Sequence, residues 1–129
     1  MDSWEARMTK AAERVSARVV LHVSDGLRQV VDPADVYYLE AQGEDTQVRL
    51  RSARPLVDMR PLRKLVPLFV PHGFLQIHRE YVVNLRRIRE IRRRDEGRDW
   101  EVKLEPPVNR VLPVSRGAVE RLWKRFGEG

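Results

Sequence analysis

Six of the nine residues from Arg86 to Arg94 are arginines: Arg86, Arg87, Arg89, Arg92, Arg93 and Arg94. A guanidinium offers a planar fork of donors that grips phosphate oxygens, or the O6 and N7 edge of guanine, through paired hydrogen bonds. The run fits two readings: a strand edge protected by charge, or a row of contacts to nucleic-acid phosphates. An apolar-anchored segment, Phe74-Leu75-Gln76-Ile77-His78-Arg79-Glu80-Tyr81-Val82-Val83-Asn84-Leu85, leads straight into it. Other chemistry finds no footing. No Ser, Thr or Lys nucleophile is paired with a convergent base, there is no glycine-rich phosphate loop, and no His, Cys or carboxylate set has metal spacing. Neither an enzyme nor a cofactor or metal is expected, and His78 reads as a structural hydrogen-bonding residue.

Charge supports a polyanionic partner. Lys and Arg number 25 against 19 Asp and Glu, a net of +6. Residues 1–35 hold five basic and six acidic residues, so residues 36–129 hold twenty against thirteen. The partner surface therefore belongs to the later part of the chain. All but four of the basic residues are arginine. The length suits one core. The absence of cysteine removes disulfides and thiolate sites and suggests a cytoplasmic chain. No apolar run approaches the ~20 residues that span a bilayer, and no export signal opens the chain.

The elements that must position these groups are mostly strands. Residues 19–23, 28–31, 36–41, 46–51 and 54–57 are short β-prone runs separated by turn chemistry such as Ser24-Asp25-Gly26 and Gly43-Glu44-Asp45. Alternation in 46–51 puts Val48 and Leu50 inward and Arg49 and Arg51 outward. Asp58 can cap a short helix carrying Leu62, Leu65 and Val66, with Pro61 in its first turn and Pro67 stopping it. Strands follow at 74–77, 88–94, 100–104 and 110–114; in 88–94, Arg87, Arg89 and Arg93 share a face and Ile91 falls out of phase with Ile88, as a bulge would cause. Asn84 suits a turn in the left-handed region. Ser115 caps a last helix whose inner face is Val119, Leu122, Trp123 and Phe126. Arg116, in that helix's first turn, opposes the helix dipole, which points to use and not to stability. At the other end, Trp4, Met8, Ala11, Ala12 and Val15 give residues 3–18 a thin amphipathic helical stripe. That helix can pack on its own domain, form a dimer seam, or be the remnant of a linker.

Three blocks in order resemble the LytTR family of bacterial DNA-binding domains. They are Val36-Tyr37-Tyr38-Leu39-Glu40-Ala41-Gln42-Gly43, the His78 to Leu85 block, and Leu112-Pro113-Val114-Ser115-Arg116. The resemblance covers residues 19–126, leaving 1–18 as an N-terminal helix or linker and 127–129 as a tail. It implies a mostly β fold: an elongated stack of small antiparallel sheets with a C-terminal helix, a short mid-chain helix and the N-terminal amphipathic helix. It also implies sequence-specific binding of double-stranded DNA in transcription regulation, with loops inserted into successive major grooves at directly repeated promoter half-sites. A homodimer on DNA is compatible with this. The family's base-reading positions carry over to Thr46, Arg79 and Arg116. In the first of these loops Asp45 or Gln47 could read instead, and Gln47 suits adenine. Arg49, Arg86, Arg87, Arg89 and Arg93 are the expected phosphate contacts, together with Ser115, whose hydroxyl can serve as cap and phosphate ligand at once. Family members usually follow a receiver domain of about 120 residues, for which this chain has no room, so it reads as a stand-alone regulator or an excised output domain. The alternatives are a module of the same fold that regulates a protein partner, and an RNA-binding β domain, which would call for aromatics among the arginines of 86–94.

Overall fold

The computed structural model describes residues 17–52, 54–94 and 97–128. The expected N-terminal helix falls almost wholly outside these residues. The chain runs through β1 (Val19–Ser24), β2 (Leu27–Val31), β3 (Val36–Gln42), β4 (Asp45–Leu50), β5 (Leu56–Asp58), α1 (Leu62–Phe69), β6 (Phe74–His78), β7 (Tyr81–Asn84), β8 (Ile88–Arg93), β9 (Trp100–Leu104), β10 (Val111–Val114) and α2 (Arg116–Arg125). These strands make a β1-β2 hairpin, a five-stranded sheet in the order β5-β4-β3-β7-β6, and a three-stranded sheet in the order β10-β9-β8. Every pairing is antiparallel.

The five-stranded sheet is the middle layer. On one face the hairpin and α1 close a core of Leu21, Val31, Leu39, Val48, Leu65, Phe69, Phe74 and Val82. On the other, the three-stranded sheet and α2 close a core of Tyr37, Tyr38, Ile77, Val83, Val102, Leu112 and Leu122. A central strand buried on both faces reads as a continuous apolar run, which explains Val36-Tyr37-Tyr38-Leu39. A bulge between Val36 and Tyr38 lets both tyrosines enter the second core. Each large side chain so buried contributes about 1.5–3 kcal/mol.

Several local expectations are corrected. Asp58 does not cap α1: it ends β5 fully buried, and Pro61 holds the N-cap position without a side-chain bond. The Asp58 carboxylate instead accepts from the His22 N–H at 2.8 Å and from the Arg60 N–H, Nε and Nη2 at 2.9, 2.9 and 2.8 Å. Pro67 does not stop α1, which continues to Phe69 and then as a 3-10 turn, Val70–His72, ended by Gly73 at φ 86°. One lost backbone bond is outweighed by burying Phe69 edge-on against Phe74, with ring centroids 4.9 Å apart. Along α2, Ala118 and Leu122 are the buried positions, while Phe126 turns outward, 48% exposed. The helix closes with bonds from Glu128 N to Trp123 O and Gly127 N to Lys124 O, Gly127 supplying the positive φ of a Schellman end. In β4, Val48 is buried, Leu50 half-buried, and Arg51 lies exposed beyond the strand.

Candidate nucleic-acid interface

One end of the middle sheet gathers the candidate residues. The β3-β4 hairpin turns through Gly43 and Glu44, with Gln42 paired to Asp45 and Gly43 at φ 63°. The β6-β7 hairpin turns through Arg79 and Glu80 between His78 and Tyr81. There the His78 ring closes the turn, Nδ1 accepting the Glu80 N–H at 3.1 Å, which is the structural role expected of it. The two turns are tied together by a bond from Ala41 N to Glu80 O at 2.9 Å. The start of α2 is tied to the same end by a bond from Ser115 N to Ile77 O at 2.7 Å. Because Val114 pairs with Trp100 and Trp100 with Arg93, the β8-β9 turn also arrives here. Its Asp99 Oδ1 lies 3.4 Å from Arg116 Nε.

Arg79 and Arg116 are thus brought together and both are exposed. The Arg79 guanidinium has no partner among the described residues, and the Arg116 side chain is 74% exposed despite its ion pair. Thr46 is different. It is fully buried and its hydroxyl donates to Arg60 O at 2.8 Å, so it is unavailable to a base edge. Its neighbour Gln47 is half-buried and accepts from Gln42 Nε2 at 3.0 Å, an amide pair on the surface beside the turn. Ser115 holds the N-cap position of α2, but its hydroxyl makes no capping bond.

The arginine run divides by position. β8 carries the expected bulge, between Ile88 and Glu90, which leaves Ile88 and Ile91 both packed on the second core and Arg89 exposed. Arg92 pairs with Glu101 at 2.9 Å, and Arg93 lies over the Trp100 ring at 5.4 Å. Arg87 is a structural staple: it stacks on Tyr37 at 4.9 Å, donates to Ala34 O at 2.7 and 3.2 Å, and faces Glu105 at 3.6 Å. Arg86 and Arg87 also belong to the opposite end of β7, beyond Asn84. Arg49 is half-buried opposite Tyr38 in the sheet. Asn84 is extended, at φ −76° and ψ 113°, not left-handed. Its buried amide donates to Val36 O at 3.0 Å and accepts the Arg86 N–H at 3.1 Å, so it fixes the fold. Asp99 was not singled out by the sequence, because only the β9-β10 pairing brings it to Arg116. Among the described residues no group of His and carboxylates could hold a metal, and no helix is long and apolar enough to cross a membrane.

The family model of the LytTr DNA-binding domain matches residues 28–127. The chain belongs to the LytTr family. A solved LytTr DNA-binding domain from Bacillus cereus superposes with a TM-score of 0.68 over 85% of this chain and 96% of that one, at 24% identity. The fold is therefore the LytTr fold. The CO-responsive transcriptional regulator RcoM of Rhodospirillum rubrum is 31% identical over 94 residues, 73% of this chain. The chain spans 39% of that relative's length. DNA binding follows from membership of the LytTr family.

Proposed function

We propose that the end of the middle sheet enters the major grooves of duplex DNA and reads its sequence, with Arg79 and Arg116 as the base-reading residues. The observation that carries this is the pair of backbone bonds, Ala41 N to Glu80 O and Ser115 N to Ile77 O. They fix two exposed arginines, one on a turn and one at a helix start, at one rigid edge, where long side chains can reach guanine O6 and N7. Gln47, not the buried Thr46, is the third reader in this proposal, beside Gln42 on the adjoining strand. Arg89 and Arg93 hold phosphates, and the uncommitted Ser115 hydroxyl with the free N–H groups of the first α2 turn accommodates another. Arg86 and Arg87 drop out by position, and Arg49 by its place within the sheet. Binding of two copies to directly repeated half-sites about one helical turn, ~10.5 base pairs, apart fits this geometry. Selection of bound sequences from random DNA tests it, since enrichment without such a repeat refutes the arrangement.

An exposed apolar pair favours a second reading. Val20 and Val30 face each other across the β1-β2 hairpin at 43% and 53% exposure, a surface suited to a protein partner. A DNA affinity indifferent to salt would favour that reading over the first.

A further inference from the structure

At the opposite end of β6 and β7, five to six strand steps or roughly 17–20 Å from Arg79, a cleft of about 740 Å³ opens. Three arginines from three distant parts of the chain line it: Arg18 before β1, Arg86 in the turn after β7, and Arg125 in the last turn of α2. Elsewhere Arg60, Arg87, Arg92, Arg94, Arg110 and Arg116 each face a carboxylate at 2.8–3.8 Å. The three cleft arginines make no side-chain ion pair or hydrogen bond among the described residues. The one carboxylate in the lining, Asp32, is engaged by the Ala34 N–H at 2.9 Å. Bringing three like charges against one carboxylate into one concavity costs stability, and a concave surface of net positive charge focuses the potential on whatever enters it.

The floor is rigid. Asn84 pins the Arg86 N–H at 3.1 Å and the Val36 carbonyl at 3.0 Å, and Gly73 O accepts the Leu85 N–H at 3.1 Å. Gly73 lies at φ 86°, a conformation that glycine adopts freely. A fixed polar floor under an exposed cationic rim, with room for a nucleotide-sized molecule, suits a multiply charged phosphoryl group. We propose that this cleft is a second, independent anion site that binds a small phosphorylated ligand. Since the chain enters the domain at Ala17 and Arg18, an anion held there also touches the point where a preceding segment joins.

The test is a titration of the full 129-residue chain with pyrophosphate at constant ionic strength, followed by amide chemical shifts. Saturable shifts are expected at Ala34, Gly73 and Arg86, with Gly43 and Gly117 at the far end unmoved. The double variant Arg86→Ala/Arg125→Ala should weaken that binding by about tenfold or more. Both side chains are exposed, so the variant keeps its fold, which its unchanged remaining shifts would verify. Non-saturating shifts, or shifts as large around Arg79 and Arg116, would overturn the proposal. So would a double variant that loses affinity for duplex DNA while pyrophosphate moves nothing in the wild type, because the cleft would then be an extension of the DNA surface. The outcome does not depend on which residues read bases.

Discussion

At the scale of residues, the guanidinium groups lie in two environments, to which the proposed function assigns two kinds of DNA contact. Arg79 sits on a two-residue turn and Arg116 at a helix start, whereas Arg89 and Arg93 lie along the strand β8. Alanine at Arg79 or Arg116 should cost about 1–3 kcal/mol on the preferred site and little on random duplex. Alanine at Arg89 or Arg93 should weaken both duplexes alike and make the salt slope shallower by about one contact each. Equal losses on both duplexes for Arg79→Ala and Arg116→Ala would show that neither reads bases. Asp99 adds a finer test. Its carboxylate, 3.4 Å from Arg116 Nε, orients the guanidinium and repels phosphates. Asp99→Asn should therefore raise affinity for random duplex by about threefold, in the range of one exposed ion pair, while the preferred site gains less. A variant with an unchanged specificity ratio would remove Asp99 from recognition.

At the scale of elements, the attachment of the β1-β2 hairpin rests on one buried carboxylate. Asp58 accepts from the His22 N–H in β1 and from Arg60, while Met59 N donates to His22 O at 2.9 Å and Arg60 Nη2 donates to Val20 O at 3.0 Å. Burial alone would raise the Asp58 pKa, but hydrogen bonds from the Arg60 side chain and from the His22 and Arg60 N–H groups hold it below its ordinary value. A carboxylate depressed in the folded state adds stability that is complete above its unfolded pKa of about 3.9 and fades as pH falls through the lower folded value. Asp58→Asn should flatten the loss of stability below about pH 4 in urea melts at stepped pH. Asp58→Ala should cost about 2–4 kcal/mol at neutral pH, because it strands a partly buried Arg60 and two backbone donors. An acid limb unchanged in Asp58→Asn would place the linkage in another group.

At the scale of the whole molecule, charge and apolar surface lie on different parts. The β6-β7 turn, the start of α2 and β8 carry exposed arginines, while the exposed apolar pair Val20 and Val30 is on the hairpin. Duplex affinity should fall with salt at a log-log slope of about −4 or steeper if roughly five phosphates are neutralised. Deleting residues 1–17, whose charge is close to balanced, should leave binding to a single half-site intact and alter only association or packing. Mass in solution and half-site affinity, measured on the same truncated protein, decide this. A folded truncation unable to bind the half-site would show that those residues belong to the DNA surface.

The layered β fold was legible in the sequence because its causes are local: alternating or continuous apolar runs, glycine and aspartate turns, and a block such as Val36 to Gly43 whose composition demands burial. Arg79 became a candidate through the family resemblance alone, and Arg116 through that resemblance together with its place in the first turn of a helix, where it opposes the dipole. Contacts between residues far apart in the chain were not legible. Thr46 reads as a polar loop residue until the β4-β5 pairing buries it under Arg60, and Asp58 reads as a cap until His22 arrives from 36 positions away. The arginines of 86–94 look alike in sequence, yet Tyr37, Ala34 and Glu105 turn Arg87 into a staple while the β8 bulge leaves Arg89 free. Side-chain type and spacing set what each group could do. Which groups met, and which remained available to DNA, depended on strand register and layer packing, and those are properties of the closed tertiary structure.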